Sequence, residues 1–143
     1  MSSSTAAFLV PVLALVAWTL FIWFWMYATR LPAMRRARVD PQDAARPGSL
    51  AGLLPDKVNR VAENYNHLHE QPTIFYALMF YLALSGGADA AALALAWAYV
   101  GLRILHSLVQ ATINLVVLRF ATFAAASLVL VAMTAREVLR LVA

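Results

Sequence analysis

The chain has 143 residues, 63% of them hydrophobic and only 13% charged, with a mean hydropathy of +0.73; in soluble domains about a quarter of residues are charged. Length permits one domain, and the absence of cysteine excludes a disulfide framework or a Cys-ligated metal site. The net charge of +4 does not point to nucleic acid, because seven of the eleven Lys and Arg fall between Arg30 and Arg60, beside an apolar run. Basic residues there set topology and meet anionic headgroups.

Ala6 to Ala28 is an uncharged run of 23 residues, enough for a bilayer core that takes about 20. It lacks a basic leader, is too long for a signal peptide, and carries Trp18, Trp23 and Trp25 ahead of Arg30. The expectation is a permanent helix with an interfacial aromatic belt. The loop that follows, "RLPAMRRARVDPQDAARPGSLAGLLPD", has no strong periodicity. It reads as a topology determinant in contact with lipid headgroups. A sharper alternative has Arg35 or Arg36 folding over a site to hold an anionic ligand.

The second span is unusual. Pro72 to Ser85 offers only 14 uncharged residues, too few to cross alone. Extending the helix backwards to Pro55 and Asp56 supplies a proline and an acid suited to a first turn. The expected helix then covers 55–85, with a kink at Pro72 and an end at Gly86 and Gly87. A third span is expected over 90–109, containing Arg103 and His106, and a fourth over 115–135, containing Arg119. Gln110 to Asn114 makes a weak turn that leaves these two nearly continuous. The fold class is all-α, a bundle of four transmembrane helices in one domain, 1–143. The basic first loop is expected on the cytoplasmic side with both termini outside; Arg136 and Arg140 count against this orientation.

At 100° per residue, Arg60, Glu63, Asn64, His67, Glu70 and Gln71 fall within about 120°. Tyr99, Arg103, His106, Gln110 and Asn114 fall within about 80° by the same arithmetic. Two polar stripes in membrane helices need each other or a neighbouring subunit, since a group left unpaired in lipid costs several kcal/mol. They line a polar cavity or a buried interface. The bland alternative is an Arg103–Glu70 ion pair that fixes helix register. A metal is set aside: His67 and His69 lie about 200° apart, and only His67, Glu70 and His106 remain as a set.

"ENYNHLHEQPTIFYAL" followed by "GLRILHSLVQATINLVVLRF" resembles the MAPEG family, membrane-associated proteins in eicosanoid and glutathione metabolism, and its bacterial branch in particular. The resemblance covers 58–138 and implies a homotrimer in a bacterial inner membrane, with glutathione as co-substrate held between subunits near the cytoplasmic face. Glutathione-using members carry Arg-x3-Asn-x2-Glu-x2-Pro on the second helix. Here Arg60 and Asn64 fit, but His67 takes the Glu position; other registers start from Glu70 or Pro72, and none satisfies all four positions. On the third helix Arg103-x2-His106-x3-Gln110 keeps two of three, with Gln110 in place of a tyrosine. Arg119 is the nearest match to the arginine that activates the thiol.

The resemblance therefore implies catalytic roles for Arg119 and Arg103, with Arg60, Asn64, His67, Glu70, His106 and Gln110 binding glutathione. The implied activity is glutathione transfer to, or reduction of, an apolar electrophile. The alternative is a non-catalytic member that binds a lipid or serves as a partner's membrane subunit. A small transporter or channel subunit rests only on the polar residues within spans.

Overall fold

The structure, a computed structural model, describes residues 3–46 and 48–143. It is all-α, with no strand among the described residues: α1 (Ser3–Phe8), α2 (Val10–Ala37), a 3-10 turn (Pro41–Ala44), α3 (Asp56–His67), α4 (Gln71–Ser85), α5 (Ala90–Ala111) and α6 (Val116–Val142). Among the described residues three helices are long and apolar enough to cross a membrane: α2, α5 and α6. α2 outruns the expected 6–28 by nine residues at its C-terminal end. Pro32 sits inside it without ending it. The stop comes at Arg38, which is left-handed at φ 52°. There the Arg38 N–H reaches Arg35 O and the Val39 N–H reaches Met34 O, a Schellman-type end.

The helix expected over 55–85 is instead two helices. Pro72 has no N–H, and its ring meets the carbonyl four residues back, that of Leu68. The chain therefore leaves helical geometry at Leu68 to Glu70, and α4 starts afresh at Gln71 with Pro72 in its first turn. Glu70 takes φ −90° and ψ −98° at this junction. Leu68 and His69 donate to Asn64, Tyr65 and Asn66 carbonyls, while Thr73 donates to Glu70 O.

The core is built from helix faces. α4 buries Phe75, Met79 and Leu82 at i, i+4, i+7, and α5 buries Ala92, Ala96, Tyr99, Arg103, His106 and Gln110 in the same rhythm. The α5 face therefore turns from apolar to polar along its length. α6 buries Thr122, Ala126, Leu130, Met133 and Glu137. Alanines at 92, 96 and 126 let the helices approach closely. Outward residues remain apolar: Leu84 is 88% exposed and Val117 82%. An apolar exterior around buried polar side chains is the reverse of a soluble protein and matches lipid as the surrounding solvent.

α5 and α6 run antiparallel. His106, late in α5, meets Arg119 and Thr122, early in α6, and Asp89 at the start of α5 pairs with Arg136 near the end of α6. Asp89 also caps α5, accepting from the Ala92 N–H at 2.8 Å. That bond, then Arg136, holds its carboxyl below the usual aspartate range. The first loop is less irregular than its composition suggests. Leu50, Leu54 and Val58 form a small core against Ala33, Met34 and Val39, which pins the loop to the end of α2.

Candidate functional site

Three helices meet at one cleft. His67 at the end of α3, His106 on α5 and Val116, Arg119, Phe120 and Phe123 on α6 line a space of about 270 Å³. The two imidazoles face each other edge-on with centroids 6.0 Å apart. Sequence reasoning singled out His67, His106 and Arg119, and the fold brings them together. It did not single out Phe120 and Phe123; the only signal is that Phe123 stands one turn beyond Arg119 and Phe120 directly follows it.

His106 is oriented from behind. Its Nδ1 lies 3.0 Å from Arg119 O and 3.3 Å from Thr122 Oγ1. A carbonyl can only accept, so the Nδ1 carries the proton and Nε2 is left as an acceptor in the neutral ring. That Nε2 has no partner among the described residues. Arg119 Nη1 donates to Asn114 Oδ1 at 2.6 Å, and Asn114 can turn back because it is left-handed at φ 52°. Asn114 thus lies beyond the end of α5 rather than on its stripe. Arg119 makes no ion pair among the described residues, so a neutral amide positions its charge without cancelling it.

Arg103 lies behind this cleft, fully buried. Its Nη2 donates to His67 O at 2.8 Å, and its guanidinium carbon is 5.6 Å from the Phe123 ring centroid. The Arg103–Glu70 pair does not form. Glu70 instead stands 3.0 Å from His67 Nδ1, with its side chain 61% exposed. The helix break explains the change: it turns Glu70 away from the α3 stripe that a continuous helix would have carried past Arg103.

The remaining expected residues are held elsewhere. Arg60 pairs with Asp56 at 2.9 Å and donates to Thr112 O at 2.8 Å. Asn64 Nδ2 donates to Ser107 Oγ at 2.6 Å, leaving Asn64 Oδ1 unpartnered. Gln110 is fully buried with neither amide atom paired. Gln71, past the break, serves α4: its Nε2 donates to Ser127 Oγ at 2.8 Å, and the Tyr99 hydroxyl contacts its Oε1 at 3.4 Å. Ser107 was missed, since a lone serine in an apolar helix gives no signal.

Helices with apolar exteriors and inward-facing guanidinium, imidazole and amide groups define an integral membrane protein with a polar interior. The chain belongs to the MAPEG family, whose family model matches residues 8–139. Neither a curated protein nor a solved structure matches it.

Proposed function

We propose that the His67–His106–Arg119 cleft binds glutathione and supports its reaction with an apolar electrophile. The observation that carries this reading is the uncancelled charge of Arg119, held by Asn114 beside the unpartnered His106 Nε2 in a cleft walled by Val116, Phe120 and Phe123. Glutathione would supply a thiol, whose usual pKa near 8.5 leaves it mostly protonated at neutral pH. Arg119 stabilises negative charge on the sulfur, and His106 Nε2 is the base within the cleft that can take the proton. The apolar wall seats the electrophile. His67, which lines the cleft, is the further group available to the tripeptide's carboxylates, while Arg103 behind it holds the His67 carbonyl.

The rest of the reading follows the family. The chain is taken as a subunit of a homotrimer, with α3 and α4 together as one of four crossings. The basic first loop faces the cytoplasm of a bacterial inner membrane. The unpartnered faces of α4, including Ile74, Phe80 and Leu84, suit a subunit contact. Cross-linking in detergent tests the trimer; a clean monomer would remove it.

The test of function is glutathione binding by calorimetry on detergent-purified protein, with turnover of 1-chloro-2,4-dinitrobenzene. There the C–S bond forms as chloride leaves. Arg119→Ala is expected to lower turnover by at least about tenfold, the thiolate fraction lost per unit of thiol pKa. Absent heat and absent turnover in the wild type would instead favour a non-catalytic member that holds a lipid. That second reading has its own support: Asn64 and Arg60 are engaged within the chain, and Gln110 carries no phenol.

A further inference from the structure

A second groove, of about 900 Å³, lies between α2 and the 52–61 segment. Trp25, Ala28, Thr29, Pro32 and Arg36 of α2 form one wall, and the 52–55 turn with Lys57, Val58 and Val61 forms the other. It contains no residue of the His67–His106–Arg119 cleft. It shares Trp25 and Ala28 with a further apolar space of about 400 Å³, lined also by Phe21 and Phe24. From Phe21 to Pro32 the two linings are apolar apart from Thr29, whose hydroxyl is turned to the Trp25 and Met26 carbonyls, and the charged residues, Arg36 and Lys57, stand at the far end. Neither makes an ion pair among the described residues. Among the described residues no carboxylate lines the groove, and the adjacent Asp56 is already paired with Arg60.

Length matches this polarity to one occupant. Phe21 to Arg36 spans 15 helical steps, about 22 Å. One leaflet, headgroup included, is half of the roughly 40–45 Å bilayer. The groove lies along α2, a helix fit to cross the membrane, so its basic end falls at headgroup level and its apolar end in the acyl region. A soluble anion would use only the basic end, and an apolar ligand would leave both cations unpaired.

We propose that this groove is a saturable site for one anionic phospholipid molecule, its phosphate between Arg36 and Lys57 and one acyl chain along Ala28 and Trp25. The site is independent of the glutathione reading. It differs from diffuse attraction to the basic loop in requiring two particular cations and an open track.

Native mass spectrometry of the detergent-purified protein tests it, with dioleoylphosphatidylglycerol, dioleoylphosphatidylcholine and inorganic phosphate as probes. One phosphatidylglycerol per chain should be retained in preference to phosphatidylcholine, and inorganic phosphate should not displace it. The Arg36→Gln, Lys57→Gln pair should weaken binding about thirtyfold, given what each basic residue contributes near an anionic surface. Arg35→Gln with Arg38→Gln removes equal charge outside the groove and should change it by less than about twofold if the site is specific. Ala28→Trp fills the track with both cations intact and should also reduce retention. Equal retention of both lipids, equal loss in the two double variants, displacement by phosphate, or no effect of Ala28→Trp would each overturn the proposal.

Discussion

Replacing Arg103 and Glu70 singly and together asks whether the buried guanidinium has a carboxylate partner. Arg103→Met keeps the unbranched stem. It loses one charge-assisted hydrogen bond, to His67 O at 2.8 Å, worth about 1.5–3 kcal/mol, and the Phe123 contact, roughly 0.5–2 kcal/mol. It also removes two donors, Nε and Nη1, that have no partner, each costing about 1–3 kcal/mol while buried. The two sides nearly cancel. The expected net change is within about 2 kcal/mol, or about 8 °C in Tm for a chain of this size. Glu70→Gln, at an exposed position, should change stability by no more than about 0.5 kcal/mol, and the coupling between the two sites should stay below about 0.5 kcal/mol. Thermal unfolding in detergent, followed by circular dichroism, measures all four proteins. A loss of about 3–5 kcal/mol in Arg103→Met that Glu70→Gln largely restores would be the mark of a buried ion pair. It would refute the separation of these residues described above.

Two further outcomes are expected at the opposite end of the bundle. A Cβ at Gly87 would lie 2.7 Å from both Glu137 Oε2 and Leu82 Cδ2. Glu137 is held by Arg140 and Ser85, so Gly87→Ala should cost about 1–2 kcal/mol in thermal unfolding, and Glu137→Ala in the same chain should recover part of it. The Asp89 carboxyl titrates lower in the folded protein than unfolded. Its contribution is thus present above the unfolded value of about 3.9 and lost as pH falls through the folded one. Asp89→Asn keeps a good cap but should flatten the dependence of Tm on pH below about 4; an unchanged slope would count against the Ala92 and Arg136 contacts.

The long helices were legible because hydrophobic runs and their flanking charges report directly on a bilayer. The polar face of α5 was legible because Arg103, His106 and Gln110 repeat at helical spacing, and they are indeed buried together. The second span was only half legible. Pro72 marks where regular helix must fail, but a proline alone does not distinguish a kink from a break, and the choice depends on whether surrounding packing accepts a displaced Glu70. Extrapolating one rotation through the break gave Glu70 and Gln71 the wrong neighbours. The sequence marks Gln110 to Asn114 as a weak turn, but Thr112 to Leu115 carries neither proline nor glycine to signal a full reversal, so Asn114 still reads as part of the α5 face. Ser107 and Phe123 act through partners distant in sequence, and no local pattern encodes that.

The interruption at Leu68–Glu70 also has a consequence for hydration. α4 alone is 15 residues, about 22 Å, short of the roughly 30 Å hydrocarbon layer. For this part of the chain to cross, the interruption has to lie at or just inside the edge of that layer. Irregular backbone is tolerated at such depth only against protein or water. The His67 carbonyl meets protein, in Arg103, whereas His69 and Glu70 are exposed and require water. The junction therefore marks a wet boundary within the molecule, and His67 stands on it at the mouth of the cleft. A polar molecule reaching the imidazoles from the aqueous side need not enter hydrocarbon, while Val116 and Phe120, both largely exposed, open the same cleft to molecules dissolved in lipid.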